Sequence, residues 1–527
     1  MKNSFFLVIP ALQKDPELLS LYEKVAVNQW VSELPTANPG LSTRLFFDFI
    51  EGFNSVEMPV QQRLDCLEIL RSHFLTIEDY LRSRLIRSGF PKGEDEQKIL
   101  DLVVSIQKTF TIGYWMVVKE LTRRDVGWFQ GKNAALAIQR TIKGLSEIVV
   151  THYMMFLPVP DWVWIDLHSL YRLSIKIKKE STKVVDESNH LNKSSTAENC
   201  YKQVLLLSLT DPSGLMQKEV RLVYEFISII AQHVNIEKSR VKGQDVQCVL
   251  LMDEDAEPYF IKSESEADSS MMFLDLLKLY KVLNQVEKYS SKDEARFSSM
   301  HLLKNASEKL PLGLFEYVLQ SWKGVELKGM AFFADRLDRY IAVGLNATHS
   351  LQSSLDVDET GCIEVLAQSY SDRELACKFE KEGVLSIGSL VSLRKTGEQE
   401  TKRTLTVVKK ITMPKQSGDI VFELDELAPQ SYAVSYMNID ADADSEQYKA
   451  LLYGVKAKAG GERSFIIMES FMQKDGDILR MFMNDKDFPI VLGSRKNIGL
   501  GYWQFECRQI EEKKVPQKVN KKGYDFI

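Results

Sequence analysis

The spacing of apolar residues divides the chain into a helical part and a strand-rich part. In the first half, apolar positions recur every three or four residues, which is the period of an amphipathic helix. The clearest stripe predicts a helix of about six turns and consists of Leu64, Leu67, Leu70, Phe74, Ile77, Leu81 and Leu85. Further helices are predicted at 96–121, 133–153, 161–172, 200–234 (interrupted at 211–214), 271–289 and 311–322. Asp161 is the predicted N-cap of the helix that follows it.

The apolar period changes from about 3.6 to two near residues 322–332, which indicates a domain boundary. Ile420, Phe422 and Leu424 fall on one face of a predicted strand. That strand and residues 405–413 flank a segment with Pro and Gly, a pattern typical of an antiparallel hairpin. A second hairpin is predicted around 474–477, between residues 465–472 and 478–483. Strands at this spacing indicate a small barrel or sandwich.

The fold class predicted is therefore α+β and multidomain, with an all-α helical array followed by antiparallel β structure. The helical region covers residues 1–325, and its polar stretch at 176–199 is predicted to be a helix extension or a mobile linker. A short strand-like run at 246–252 lies inside this region. The expected β units are a barrel at 326–435 and an additional unit at 436–510, followed by a basic tail at 511–527.

Composition narrows the function classes. The 527 residues are 44% hydrophobic and 27% charged, and a net charge of −6 gives no field that favours nucleic acid. No window approaches the roughly 18 consecutive apolar residues of a membrane span. The N-terminus lacks the features of a signal peptide, and the six cysteines are scattered without a CxxC pair. A cytoplasmic protein without a membrane span is expected.

Two short segments at the start of the β region carry the candidate binding chemistry. Arg336 and Arg339 precede the first predicted strand. Arginine is planar, permanently charged and able to donate two parallel hydrogen bonds, which suits it to phosphate. The second segment, residues 368–374, is polar and contains Ser369, Ser371 and Glu374.

Arginines before a strand, a short Ser-containing element and an antiparallel barrel resemble a PilZ domain, the bacterial cyclic di-GMP receptor module. Residues 388–394 (GSLVSLR) and 424–429 (LDELAP) are similar to large γ-proteobacterial PilZ-type proteins with a long helical N-terminal region. The similarity extends to 34–39 (LPTANP), 164–171 (WIDLHSLY), 492–493 (LG) and 502–505 (YWQF). It covers most of the chain.

The resemblance implies that residues 326–435 form a PilZ-like barrel in a cytoplasmic signalling effector. Cyclic di-GMP is then expected to bind at the junction of helical region and barrel through Arg336, Arg339, Ser369 and Ser371. The signal would pass through the helical region to a protein partner. Neither a metal nor a cofactor is expected, and no catalysed reaction.

The motif departs from the family pattern, which leaves a second hypothesis open. The arginines are spaced RxxR where the family has RxxxR, and Glu374 stands where the family has glycine. Glycine permits close approach of the backbone to a phosphate, whereas a carboxylate repels it. An alternative alignment of the family motif, with residues 356–361, keeps a glycine but lacks the serine. The alternative is a degenerate PilZ-like scaffold or adaptor that binds a protein partner without nucleotide.

Other motifs favour ordinary structural interpretations. The acidic runs at 253–257 and 440–444 partly match a calcium loop but lack its glycine. Residues 127–132 resemble a P-loop with one residue too few between the glycines. Trp162, Trp164, His168 and Tyr171 lie at helical spacing, which indicates core packing. The seven histidines form no metal-ligand pattern.

Overall fold

The chain folds into two compact units in a computed structural model. The structure describes residues 5–123, 130–186, 193–262, 270–290, 310–327, 329, 331–353, 364–415, 418–441, 445–456, 462–469, 472–484 and 486–510. The first unit comprises Met1–Lys328, Glu380–Val384 and Ile411–Ile420. The second unit comprises Gly329–Phe379, Leu385–Lys410 and Val421–Ile527.

Helices dominate the first unit, as the apolar spacing predicts. They are α1 (Pro16–Leu21), α2 (Lys24–Glu33), α3 (Pro39–Ser55), α4 (Val60–Leu85), α5 (Glu94–Leu121), α6 (Gly131–Met154), α7 (Val163–Lys176), α8 (Ala197–Ser208), α9 (Gln217–Ile230), α10 (Leu277–Ser290) and α11 (Leu312–Trp322). All seven residues of the predicted stripe on α4 are buried. The stripe places α4 against α5, which in turn packs against α6.

One group of charged side chains inside the helical array forms linked ion pairs. The guanidinium of Arg82 on α4 lies 2.9 Å from Glu78 and 3.1 Å from Glu147 on α6, and all three residues are buried. Arg221 on α9 reaches the same Glu147 carboxylate at 2.7 Å. Burial raises the pKa of a carboxyl group, but the two guanidinium groups outweigh this and hold the pKa of Glu147 well below its usual range. The charges therefore link three helices rather than forming an open site.

The first unit is not purely helical. It contains a four-stranded antiparallel sheet of order β3-β6-β4-β5 with strands β3 (Asn235–Glu237), β4 (Val246–Leu251), β5 (Tyr259–Lys262) and β6 (Met271–Asp275). The prediction of an all-α region was wrong here, although β4 coincides with the strand-like run at 246–252. The predicted helix at 271–289 begins as β6, because pairing with β4 and β3 overrides the local helical pattern.

The polar stretch at 176–199 contains a short β pair. Strands β1 (Val184–Val185) and β2 (Ser194–Ser195) are antiparallel neighbours. Asp186 follows β1 and is fully buried, where its carboxylate accepts hydrogen bonds from Gln139 and Ser195. Arg71 on α4 lies 3.4 Å from the same carboxylate. One acid therefore fixes this part of the polar stretch to the helices.

The first turn of α7 is capped from a distant loop. Asp161 is not the N-cap; the helix begins after Trp162. The carboxylate of Asp255 accepts hydrogen bonds from the backbone N–H groups of Trp162 and Ile165, the latter at 3.0 Å. The prediction of an Asp161 cap was wrong because a capping acceptor need not be close in sequence. An acid of the run at 253–257 thus satisfies a helix terminus.

The second unit contains two closed six-stranded barrels. The first is built from β7 (Arg339–Val343), β8 (Val365–Ser369), β9 (Glu374–Cys377), β10 (Leu390–Lys395), β11 (Thr404–Thr412) and β12 (Ile420–Ala428), in the order β10-β11-β12-β9-β8-β7. A short helix, α12 (Leu345–Gln352), follows β7. The pairing of β11 with β12 confirms the first predicted hairpin, and the predicted α+β class is confirmed with it.

The second barrel has the same connectivity as the first. Its strands are β13 (Tyr432–Asn438), β14 (Tyr448–Lys456), β15 (Glu462–Met468), β16 (Ile478–Met483), β17 (Lys486–Gly499) and β18 (Tyr502–Gln509), in the order β13-β14-β15-β18-β17-β16. In both barrels the first three strands and the last three strands form meanders, and closure joins the first strand to the fourth. The β region therefore consists of two barrels with the same strand connectivity.

The second predicted hairpin was wrong. β15 pairs with β14 and β18, whereas β16 pairs with β13 and β17. The turn at 474–477 forms locally, since the N–H of Asp477 donates to the carbonyl of Lys474 at 3.2 Å. It carries the chain across the barrel instead of joining neighbours. A turn signal specifies local conformation, while barrel closure decides which strands pair.

The two barrels share a hydrophobic core. Its buried members come from both barrels and from α12: Leu345, Leu390, Leu405, Ala428, Leu451, Tyr453 and Ile467. At the edge of this core Gly499 approaches Gly388 so closely that a Cβ on Gly499 would lie 2.6 Å from the Cα of Gly388. Gly499 has φ +133°, so glycine is required there by both conformation and space.

Gly499→Ala is therefore expected to destabilise the paired barrels more than an alanine that is only conformationally strained. Gly501 supplies the matched control, since it has φ +82° in the same turn and nothing within 4 Å of its Cβ position. We expect Gly501→Ala to cost about 1 kcal/mol and Gly499→Ala about 3 kcal/mol. Urea unfolding measures both losses. Equal losses in the two variants would contradict the close approach.

Candidate functional site

The first barrel brings the two sequence-predicted segments together. The backbone N–H of Phe333 donates to the carbonyl of Asp372 at 2.8 Å. A second link joins the backbone N–H of Ser369 to the Asp338 carboxylate at 3.3 Å. The arginine loop at 333–338 and the turn at 369–374 therefore form one continuous surface.

Arg339 is the first residue of β7, and its guanidinium is already engaged. Its Nη2 donates to both carboxylate oxygens of Asp335, at 2.8 and 2.7 Å, and its Nη1 donates to the carbonyl of Leu337 at 2.6 Å. The side chain is buried, with 2% of its residue surface exposed, and lies over the ring of Phe333. This arginine holds the shape of the loop.

Asp335 is the counter-charge that makes this arrangement stable. Slight desolvation favours its neutral form, but hydrogen bonds from Arg339 and Lys395 and from the backbone of Leu337 outweigh it and lower the pKa of Asp335 to about 2. Lys395, on β10, lies 3.0 Å from the carboxylate. Asp335 is therefore ionised at neutral pH.

Arg336 differs from Arg339 in exposure and in partners. It is exposed and adopts φ +56°, a left-handed conformation that is uncommon for a residue with a Cβ. Its Nη1 donates to the carbonyl of Tyr370 at 3.4 Å, and it has no ion pair within the described part of the chain. Such conformations concentrate at functional sites, where the surrounding structure maintains the strain.

The serine hydroxyl groups of the turn at 369–374 form hydrogen bonds within the turn. Ser371 Oγ accepts hydrogen bonds from the N–H groups of Arg373 at 3.2 Å and Glu374 at 3.0 Å, and it donates to the Glu374 carboxylate at 2.8 Å. Ser369 Oγ donates weakly to the carbonyl of Ser371 at 3.4 Å. These bonds form a compact side-chain turn of the kind that serine favours.

Glu374 begins β9 and is part of an ordinary hairpin. Its carbonyl accepts hydrogen bonds from the N–H groups of Tyr370 at 3.0 Å and Ser371 at 3.1 Å. Its φ is not positive, so the backbone here does not require glycine. The effect of the Glu374 side chain on an anion is therefore electrostatic.

Two further residues belong to this surface and were missed from the sequence. Arg373 has a buried Nε that lacks a hydrogen-bond partner among the described residues. Tyr370 is 59% exposed and bears the carbonyl that Arg336 contacts. Both residues lie within the predicted segment 368–374, on either side of Ser371. The family motif is defined by its serine and glycine positions, so it did not indicate them.

In the part that the structure describes, the second barrel lacks the arginine loop of the first. The corresponding first strand, β13, is preceded by Pro429, Gln430 and Ser431, with no arginine. Its equivalent turn, between β14 and β15, lies at 457–461, outside the described residues. The alternative motif phase at 356–361 also lies outside them.

The other candidate motifs receive structural roles where they are described. Asp253 pairs with Arg172, and Asp255 caps α7. No cluster of three or more His, Cys, Asp or Glu residues suited to a metal ion occurs among the residues that the structure describes. Trp164, His168 and Tyr171 are buried, which confirms core packing for these three residues, whereas Trp162 is only partly buried. Residues 127–129 of the P-loop-like segment and the whole basic tail lie outside the described residues.

Comparison with known proteins gives a family match in the helical region and a match to a curated relative. Residues 25–240 match the family model of the N-terminal domain of the cyclic-di-GMP receptor FimW. Over 323 residues the chain is 22% identical to the cyclic-di-GMP receptor FimW of Pseudomonas aeruginosa. The aligned region is 61% of this chain and 52% of that protein, so the chain spans about half the length of the curated relative that it matches.

These matches and the two barrels support the resemblance to PilZ-type proteins that was drawn from the sequence. No solved structure matches the chain. Within the described residues, no helix is both long and apolar enough to cross a membrane.

The two predicted arginines are expected to differ in how much their loss lowers the unfolding free energy. Arg339→Ala is expected to lower the unfolding free energy by about 2 kcal/mol, because it removes a buried partner of Asp335 and two hydrogen bonds to the loop. Arg336→Ala is the matched control and is expected to change it by less than about 0.5 kcal/mol. Chemical unfolding followed by circular dichroism measures both. A stable Arg339→Ala protein would show that the ion pair does not maintain the loop.

Proposed function

We propose that this protein is a cytoplasmic, non-enzymatic receptor that binds cyclic di-GMP on the first barrel. The observation that carries the proposal is the junction of the arginine loop with the turn at 369–374, where Arg336 contacts the carbonyl of Tyr370 in the turn that also carries Arg373. Similarity to a protein named a cyclic-di-GMP receptor supports the choice of ligand.

The chemistry of the ligand matches the surface. Cyclic di-GMP carries two phosphodiester anions and two guanine bases. Arg336 and Arg373 are planar cations that donate paired hydrogen bonds to phosphate oxygens or stack on a base. Tyr370 offers an exposed ring for stacking beside them.

The four residues predicted from the sequence take different parts in this proposal. Arg336 is assigned to direct contact with the ligand. Arg339 is assigned to the support of the loop, since its guanidinium is bound to Asp335. Ser369 and Ser371 shape the turn and offer hydroxyl groups that can exchange an internal hydrogen bond for a phosphate oxygen.

The second candidate is a scaffold that binds a protein partner without nucleotide. The engagement of Arg339 by Asp335 favours it, because the ion pair withdraws one of the two arginines that the family motif would present. Glu374 adds negative charge beside the turn. In the receptor proposal, binding is relayed through the helical region to a protein partner; in the scaffold proposal, that region binds the partner directly.

Calorimetric titration with cyclic di-GMP tests the receptor proposal. Purified full-length protein is expected to bind, and Arg336→Ala and Arg373→Ala are each expected to weaken binding by about tenfold or more, as loss of one charge-assisted hydrogen-bonding group costs about 1.5–3 kcal/mol. Arg508→Ala, an exposed arginine on the second barrel, is the control and keeps wild-type affinity. Absence of heat and of thermal stabilisation at high ligand concentration would refute the receptor and favour the scaffold.

Glu374→Gln tests the electrostatic part of the proposal. Glutamine preserves an acceptor for Ser371 but removes the charge, so we expect the affinity for cyclic di-GMP to rise about fivefold, given a repulsion of about 1 kcal/mol at a solvated distance. Glu446→Gln, an exposed acid of the second barrel, is the matched control. An unchanged affinity in Glu374→Gln would place the ligand away from the turn.

A further inference from the structure

The helical unit contains a cleft of about 960 Å³ that the proposed function does not use. It lies between the extended segment at 5–13, the beginning of α4 and the end of α5. One wall is apolar and consists of Phe5, Ile9, Leu12, Trp115, Met116 and Leu173. The volume lies at the upper end of the range for small-molecule sites, about 300–1,000 Å³.

The segment that closes this cleft is fixed at both ends. At one end Asp166, on the first turn of α7, accepts hydrogen bonds from the N–H groups of Phe6 at 2.9 Å and Leu7 at 3.0 Å. At the other end the N–H of Gln13 donates to the carbonyl of Ser55 at 2.8 Å. The ring of Phe5 packs on Trp115 with centroids 4.1 Å apart. The apolar wall is therefore held in place rather than being a gap beside a loose segment.

Positive charge also lines this cleft. Lys119 and Arg123 are exposed members of the lining, four residues apart at the end of α5, and neither has an ion pair in the described residues. A cation near a helix C-terminus is favourable in itself. Here, however, both cations also border an apolar cleft large enough to hold a small molecule.

Arg63 adds a third cation, and it is buried without a counter-charge. Its guanidinium donates to the carbonyls of Phe53 at 3.3 Å and Val56, and no carboxylate pairs with it among the described residues. Only 4% of the residue surface is exposed, and burial lowers the pKa of Arg63 to about 10. A buried cation of this kind gains from a nearby anion.

The acids of the lining offset this charge only in part. Glu57 is paired with Lys14 at 3.4 Å. Glu120 is the other acid that borders the cleft, and it lies in an exposed position on α5. Three cations therefore face one acid that has no ion pair in the described part of the chain.

We propose that this cleft binds a soluble amphipathic carboxylate of the fatty-acid type. The hydrocarbon body lies on Phe5, Ile9 and Leu12, and the carboxylate lies among Arg63, Lys119 and Arg123. A cleft lined by both apolar side chains and a few charged groups is typical of a small-molecule site. This inference is independent of the cyclic di-GMP proposal, because the cleft lies wholly within the helical unit.

A fluorescent fatty acid, 11-(dansylamino)undecanoic acid, tests the proposal on full-length protein. We expect saturable binding with a blue shift of dansyl emission, energy transfer from tryptophan and displacement by oleate. The variant Lys119→Glu/Arg123→Glu changes two exposed residues and is expected to weaken binding by at least tenfold. The control Lys98→Glu/Lys218→Glu makes the same change in net charge at exposed positions on α5 and α9 and keeps wild-type affinity.

The outcomes distinguish the proposal from other uses of the cleft. Ile9→Asp, which places an acid on the apolar wall, is expected to weaken probe binding as well. Absence of saturable binding, or equal weakening in both double variants, would overturn the proposal. Displacement of the probe by cyclic di-GMP would assign the cleft to the nucleotide and also overturn it. Binding to anionic phospholipid vesicles without binding of free fatty acid would identify a membrane-contact surface instead.

Discussion

Closure of the first barrel is the constraint that creates the candidate site. Each strand must pair with a neighbour on both sides, so that β7 lies between β10 and β8, and β8 lies between β7 and β9. The antiparallel register sets Arg339 opposite Ala367. The loop before β7 must therefore lie beside the turn after β8. Two segments about thirty residues apart become one surface because the barrel has no free edge.

The second barrel repeats the connectivity but, among the residues described, not the arginine loop. Its first strand is preceded by residues without positive charge, while its strands contribute Leu451, Tyr453 and Ile467 to the core shared with the first barrel. The backbone contact of Gly388 with Gly499 lies at the same place. The first barrel carries the candidate binding surface, and the second barrel supplies apolar residues to the core that the two barrels share.

The sequence predicted those elements whose signal is local. The stripe on α4 and the hairpin of β11 and β12 are correct because their apolar period states directly which face is buried. The start of β6, the cap on α7 and the crossing between β15 and β16 could not be predicted, since each depends on a partner distant in sequence. The candidate site likewise has a part that the sequence indicates and a part that depends on contacts between distant residues. Residue types indicated Arg336 and Arg339 together, but only the structure distinguishes the exposed arginine from the one bound to Asp335.

The first two turns of α7 join two distant segments of the helical unit, the loop at 253–257 and the segment that contains Phe6 and Leu7. Asp255 caps the exposed N–H groups of α7, Asp166 binds the backbone of Phe6 and Leu7, and Nε2 of His168 lies 3.0 Å from the carbonyl of Ala256. Loss of any one of these contacts leaves buried polar groups without a hydrogen-bond partner in the remaining segments. The three segments are thus expected to open as a single cooperative unit, so that their amide hydrogens exchange with solvent at a common rate instead of fraying from residue 5 onward.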